Sequence, residues 1–200
     1  MPRHRLGLFR PLYLNEAASL FIAAVATAFA LGKRDLIYIL SNPLSWPGGV
    51  LIGALMGVII HELAHKYAAI AEGCRARYVL TPTGLAITLL SGLIPSIAII
   101  MPGYVAILCY AGSTMLIGEE WIAAAGPIVN VVLSAIAYAW LLAFHSPIDF
   151  LVGFISVNAW IALFNLIPIP PLDGYKILKR RPIIWILLIA FPVLLLFYLL

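Results

Sequence analysis

Five stretches of this chain are apolar for about the length a helix needs to cross a bilayer, and nothing else in the sequence limits the fold as strongly. A hydrocarbon core of ~30 Å takes about 20 helical residues. The stretches run about 14–31, 49–71, 121–143, 148–168 and 182–200. The first ends at Lys33-Arg34-Asp35 and the second follows the Pro/Gly-rich segment 42–49. Composition removes the soluble alternatives. The chain is 64% hydrophobic and 10% charged with a mean hydropathy of +1.09, where a soluble domain is roughly half apolar and about a quarter charged. That leaves too little polar surface to coat a globule of 200 residues. Disorder and collagen are excluded by the same numbers. A disulfide scaffold is excluded because only Cys74 and Cys109 are available, and neither has a paired metal-binding spacing. The expected fold is an α-helical polytopic membrane protein, residues 1–200 forming a single membrane domain with about five transmembrane helices.

Residues 74–117 break this pattern. Pro82, Gly84, Gly92, Pro95, Pro102, Gly103 and Gly112 interrupt them too often for one helix. Tyr78-Val79-Leu80, the run 85–90 and the run 104–110 are short apolar stretches bounded by turn residues, a strand or hairpin signal. Open strands cannot face lipid, so this β region is expected at the interface or under helices, with a pair of short helices dipping into the membrane as the competing reading. Between the third and fourth apolar stretches, Ser146-Pro147-Ile148-Asp149 reads as a helix start: Ser146 as N-cap, Pro147 first, Asp149 in the first turn.

Cations orient the chain. With a cytoplasmic N-terminus, Arg3, Arg5, Arg10, Lys66, Arg75, Arg77, Lys176, Lys179, Arg180 and Arg181 lie inside and only Lys33 and Arg34 outside; basic loops stay on the cytoplasmic side. The net charge of +4 is thus topogenic and needs no nucleic-acid partner; the bilayer is the expected surroundings. The basic arm, the apolar stretch and Ala28-Phe29-Ala30 imitate a cleavable signal peptide; the segment is read as a retained span.

The second span carries His61-Glu62-Leu63-Ala64-His65. Two histidines four apart stand one above the other on a helix face, so both imidazoles reach one zinc ion. Glu62 beside them is placed as general base toward a zinc-activated water. Four His and five Glu in 200 residues make a chance H-E-x-x-H roughly a one-in-500 event. The bland alternative, hydrogen-bonded core histidines, requires burying three ionisable residues in an apolar span without function, which is costly. Zinc needs a third protein ligand and an open position. His4 lies in the N-terminal arm and His145 in the outer turn, leaving Asp173 within Asn165-Leu166-Ile167-Pro168-Ile169-Pro170-Pro171-Leu172-Asp173-Gly174 as the best candidate. The prolines force this stretch out of helix at the cytoplasmic end of the fourth span, at the depth of the histidines.

The H-E-x-x-H helix together with N-x-x-P-x-x-P-L-D-G resembles the site-2 protease family of intramembrane zinc metalloproteases. Ala125-Gly126-Pro127-Ile128-Val129-Asn130 is similar to that family's G-P-x-x-N motif. The match covers about 49–71 and 121–175. The resemblance implies one zinc per chain held by His61, His65 and Asp173, Glu62 as general base, and Asn165 holding the scissile carbonyl or its oxyanion. It implies that 74–117 is the membrane-associated β region that engages an extended substrate, that the substrates are single-span membrane proteins, and that the enzyme resides in a prokaryotic cell membrane. Without a PDZ or CBS domain, the chain reads as a bare catalytic core.

Other residues have plainer readings. Asn165 serves equally as a helix C-cap before the prolines, Asn130 as a polar pair between buried helices, and Gly126 as a point of close helix approach. Glu119-Glu120 suit a helix N-terminus, Lys66 snorkels to the interface, Lys176–Arg181 touches anionic lipid, and Glu16 lies at a helix start. Cys74, nine residues after His65, is a weak metal candidate. Two other functions compete: a non-catalytic relative binding membrane segments as chaperone or adaptor, which has no need of Glu62, and a zinc or proton transporter, which needs polar residues along several spans. For the protease reading, a substrate helix hides its carbonyls in its own hydrogen bonds and must unwind. Gly or Pro inserted near the cleavage site of a reporter should therefore raise the cleavage rate; a flat rate in the same assay shows that unwinding is not limiting.

Overall fold

The computed structural model describes residues 12, 14–32, 36–94, 98–109 and 118–199. Their elements are α1 (Glu16–Gly32), α2 (Leu36–Ser41), α3 (Trp46–Ala71), β1 (Arg75–Leu80), α4 (Pro82–Gly92), β2 (Gly103–Leu108), α5 (Glu119–Phe144), α6 (Ile148–Leu166), α7 (Asp173–Arg180) and α8 (Pro182–Leu199). By length and composition α3, α5, α6 and α8 can each cross a membrane, and α1 is a shorter apolar helix. Four such helices thus stand where the sequence reading has five. The arm with Arg3, His4, Arg5 and Arg10, the turn Lys33-Arg34-Asp35, and Pro95, Tyr110 and Gly112 lie outside the described residues. Large apolar side chains remain exposed on outer faces, among them Phe21, Trp140, Leu187 and Phe197, a surface suited to hydrocarbon rather than water.

Helix α3 is the axis of the bundle and packs against α1, α5 and α6. Gly49, Gly53 and Gly57 recur every four residues and form one flat stripe. A side chain there would run into the Phe150 carbonyl, Val157 and Asn158, all on α6. The apolar core beside the stripe joins Ala54 and Val58 to Val157, Ile161 and, across α3, Ala24 and Ala28. A second cluster seats Leu195 and Leu196 of α8 on Ala137, Ile155 and Ala159.

The turn before α6 differs from expectation. His145 closes α5 in a left-handed conformation (φ 53), and Pro147, not Ser146, takes the N-cap position with no side-chain cap. With only His145, Ser146 and Pro147 between the helices, the serine is spent on the reversal: its carbonyl accepts from Trp140 Nε1 at 3.2 Å. Asp149 lies in the first turn as read.

Strands β1 and β2 pair antiparallel, from Arg75 opposite Leu108 to Leu80 opposite Gly103. The run 85–90, read as a strand, is instead inside α4. Thr81 caps that helix by accepting from the Gly84 N–H at 3.2 Å, and Pro82 opens it; cap and proline outweigh a β-branched pair. Helix α4 lies along α1, with Gly92 against Ala30. The chain then returns extended, its Ile99 and Met101 N–H groups donating to Ser91 Oγ (2.9 Å) and Thr88 Oγ1 (3.2 Å). Strands and one short helix therefore coexist in this region. Cys74 and Cys109 form a disulfide at the end of the strand pair, which removes Cys74 as a metal candidate.

Glu16 gains a role. Its carboxylate pairs with Lys66 Nζ at 2.7 Å and accepts from the Tyr78 N–H at 2.9 Å, tying α1, α3 and β1 together one residue beyond His65. Lys66 is thus bound inward instead of snorkelling. The tight α3–α6 contact sets a stability test. Gly49→Val, whose side chain meets backbone, should lower the thermal midpoint of the detergent-solubilised protein by several degrees, the scale of about 1–3 kcal/mol of overpacking. Leu187→Ala on the exposed face of α8 should leave it within a degree or two.

Candidate metal centre

The register of α3 delivers His61 and His65 to one side, both buried, with their Nε2 atoms 3.0 Å apart. Asp173 is the first residue of α7. The loop with Pro168, Pro170 and Pro171 separates it from α6, and Gly174 allows α7 to sit directly on the Leu166 carbonyl at the end of α6. Asp173 Oδ2 then lies 3.2 Å from His65 Nε2 and 3.6 Å from His61 Nε2. Among the described residues these three offer ligand atoms within 4.8 Å of one another. Burial alone would raise the Asp173 carboxyl, but the facing His65 and His61 imidazoles hold it well below the usual carboxylate range, so it stands ionised.

The fit to a metal can be tested on Gly126. A methyl there would fall 2.6 Å from His61 Nε2 and closer still to His65 Nε2. The missing side chain thus leaves room where an ion bound to both nitrogens would sit. Zinc at about 2.0–2.1 Å from each ligand in tetrahedral geometry sets ligand atoms about 3.4 Å apart. The observed 3.0, 3.2 and 3.6 Å spacings straddle that value, and two imidazoles with one carboxylate are a zinc donor set. The residues fit the ion. Gly126 therefore does more than let helices approach: it clears the metal position.

Both imidazoles are held from behind. His61 Nδ1 meets Asn130 Oδ1 at 2.6 Å, and His65 Nδ1 donates to the Ile122 carbonyl at 2.7 Å. Such partners set the tautomer that leaves Nε2 free for metal. Asn130 Nδ2 donates in turn to the Gly57 carbonyl and, at 3.0 Å, to Asn158 Oδ1, while Asn158 Nδ2 donates to the Gly53 and Phe154 carbonyls. Asn130 pairs buried helices, as read, and also supports a ligand. Asn158 was not singled out from the sequence, although a lone amide in an apolar span is the same signal that marks Asn130.

Glu62 and Asn165 line one cavity of about 720 Å³ together with His61, His65 and Asp173. Asn165 lies inside α6 rather than capping it, and its Nδ2 donates to the Ile161 carbonyl at 2.9 Å. Ile100, Met101, Tyr104 and Val105 from the extended return and β2 form one wall. Tyr78, also missed, is 1% exposed; its hydroxyl packs on Gly103 and has no hydrogen-bond partner among the described residues. Burial pushes that phenol well above its ordinary value, and the Glu62 carboxylate adds to the shift. Glu119 lines the cavity, while Glu120 is buried with Arg181 Nε at 3.4 Å and Arg180 at 3.9 Å.

Comparison with known proteins decides the family. The chain is 32% identical over 179 residues to “Putative zinc metalloprotease MJ0611” of Methanocaldococcus jannaschii, a match covering 86% of this chain and 87% of that one. The chain belongs to the site-2 protease family. It is also 30% identical over 193 residues to “Putative zinc metalloprotease Rip2” of Mycolicibacterium smegmatis, covering 84% of this chain and 69% of that protein. With “Putative zinc metalloprotease YwhC” of Bacillus subtilis it shares 27% identity over 161 residues, 68% and 70% of the two chains. No protein-family model and no solved structure matches the chain.

The Gly126 geometry gives a direct test on this site-2 protease family member. Gly126→Ala should leave the helical circular dichroism unchanged while bound zinc, counted by elemental analysis after equilibration with the metal, falls from near one per chain to below about a tenth. Full zinc occupancy in the variant would mean that the ion sits elsewhere.

Proposed function

We propose that this chain is an intramembrane zinc endopeptidase that hydrolyses peptide bonds in transmembrane or membrane-proximal segments of single-span proteins. The observation that carries the proposal is the meeting of His61, His65 and Asp173 with Glu62 in one cavity, inside a bundle whose helices can cross a membrane. The relatives, each named a putative zinc metalloprotease, point the same way. Residues 1–200 act as one membrane domain with a cytoplasmic N-terminus and the site near the cytoplasmic side. In support, Lys66, Lys176, Lys179, Arg180 and Arg181 lie on or at the ends of helices that line the cavity, and Arg75 and Arg77 lie on the strand paired with its β2 wall, as basic cytoplasmic flanks do.

Zinc, when bound by His61, His65 and Asp173, supplies a Lewis acid that polarises the scissile carbonyl and acidifies water. The chain does the rest. Asn130 and the Ile122 carbonyl keep the imidazoles in the ligating tautomer. Glu62 takes a proton from the attacking water as its oxygen adds to the carbonyl carbon, then delivers that proton to the nitrogen as the C–N bond breaks. The product ends are a carboxylate and an amine. Asn165 retains an amide hydrogen beyond the one given to Ile161, and it directs that hydrogen at the carbonyl oxygen as negative charge develops there.

The test is cleavage of a single-span reporter in liposomes, with zinc counted in every sample. Wild type should cut, a chelator should stop it, and Glu62→Gln should keep about one zinc per chain while losing at least a hundredfold in rate. Wild-type protein that stays free of zinc after resupply would remove the metalloprotease reading.

A further inference from the structure

The mouth of the cavity carries more positive charge than the chemistry uses. Lys176, Lys179 and Arg180 line the cavity that holds the metal ligands; beyond Glu62 and Asp173, the acidic residue facing it is Glu119. All three cations are exposed and lie on α7, the helix that begins with Asp173. Positions 173, 176 and 180 are spaced i, i+3 and i+7 and share one face, while Lys179, at i+3 from Lys176, stands beside that row and also lines the cavity. Arg180 is partly neutralised at 3.9 Å from Glu120, and Lys179 Nζ stands 5.9 Å over the Tyr175 ring. Lys176 has no ion pair among the described residues.

A cationic row of this kind has consequences for what enters. Cytoplasmic ends of membrane-spanning helices usually carry Lys and Arg, and such a flank would meet like charge at this mouth. Discrimination by repulsion is as effective as attraction. Resting on the endopeptidase reading above, we propose that Lys176 and Lys179 are specificity residues selecting substrates with an acidic flank beside the scissile bond. A helix rises 1.5 Å per residue, which puts Lys176 about 4.5 Å and Lys179 about 9 Å along the axis from Asp173. An extended substrate advances roughly 3.3 Å per residue. The acidic side chain therefore belongs about one to three residues from the cleaved bond. Anionic lipid headgroups share the carboxylate's charge, but the cations line the cavity itself, which favours the peptide.

The experiment uses the full chain in nanodiscs and three reporters whose flank carries two Glu, two Gln or two Lys. Wild type should cut the Glu reporter about tenfold faster than the Lys reporter in kcat/KM, with the ratio shrinking as salt rises. The Lys176→Glu/Lys179→Glu protein should reverse the Glu-to-Lys order, read as the ratio of kcat/KM between the two reporters within each protein. An unchanged order in that variant overturns the proposal. So does an effect equal for all three reporters and present only when phosphatidylglycerol replaces phosphatidylcholine, because the row then serves lipid. Absence of cleavage by wild type on any reporter removes the endopeptidase reading instead. The row is then judged by binding of fluorescent Glu- and Lys-flanked peptides to the same two proteins: tighter Glu binding that is lost on charge reversal supports it, and equal binding overturns it.

Discussion

The amide of Asn130 is the joint on which both bundle and site depend. It ties α5 to the Gly57 carbonyl of α3 and to Asn158 of α6, while its oxygen holds His61. In an apolar interior an amide left without partners costs several kcal/mol. Sliding any of the three helices would strand at least one such group. The register of α3, α5 and α6 is therefore coupled to the orientation of the His61 imidazole. The glycine stripe of α3 makes the coupling possible, because only bare backbone lets Asn130 and Asn158 reach the Gly57 and Gly53 carbonyls.

Around that joint the site is assembled from opposite kinds of local structure. Regular helix presents His61, Glu62 and His65 with the correct spacing, and an interrupted helix presents Asp173. Prolines stop α6, Gly174 allows the chain to fold straight back on Leu166, and Trp185 Nε1 of α8 takes the Leu166 carbonyl at 2.7 Å. Glu120, Arg180 and Arg181 fasten the α7–α8 corner to the start of α5, on the side from which Gly126 clears the metal position. A cavity holding His61, Glu62, His65 and Asp173 is thus enclosed in a bundle whose outer faces expose large apolar side chains.

The segment between α3 and α5 shows how non-helical backbone is accommodated in such a protein. Its strands pair with each other, α4 supplies hydroxyls to the returning chain, and the Cys74–Cys109 disulfide closes the pair. Glu16 holds β1 against α3 through Lys66 and the Tyr78 N–H. The wall of the cavity is in this way anchored to the same helix that carries the histidines.

The sequence by itself determined the apolar helices, the H-E-x-x-H face and its acid, because those signals are local: length against bilayer thickness, and a four-residue spacing against 3.6 residues per turn. Asp173 was reachable from the proline break and the resemblance. Helix α7 was not, since eight residues are too few for a periodicity to stand out, and α4 was mistaken for a strand because a short apolar run has no period of its own. Only the tertiary structure decided the partners of Glu16, Asn130, Asn158 and Cys74 and the purpose of Gly126. Each depends on residues 28 to 105 positions away in sequence, and a hydrogen bond or a cleared space between distant positions leaves no pattern along the chain until packing brings its two halves together.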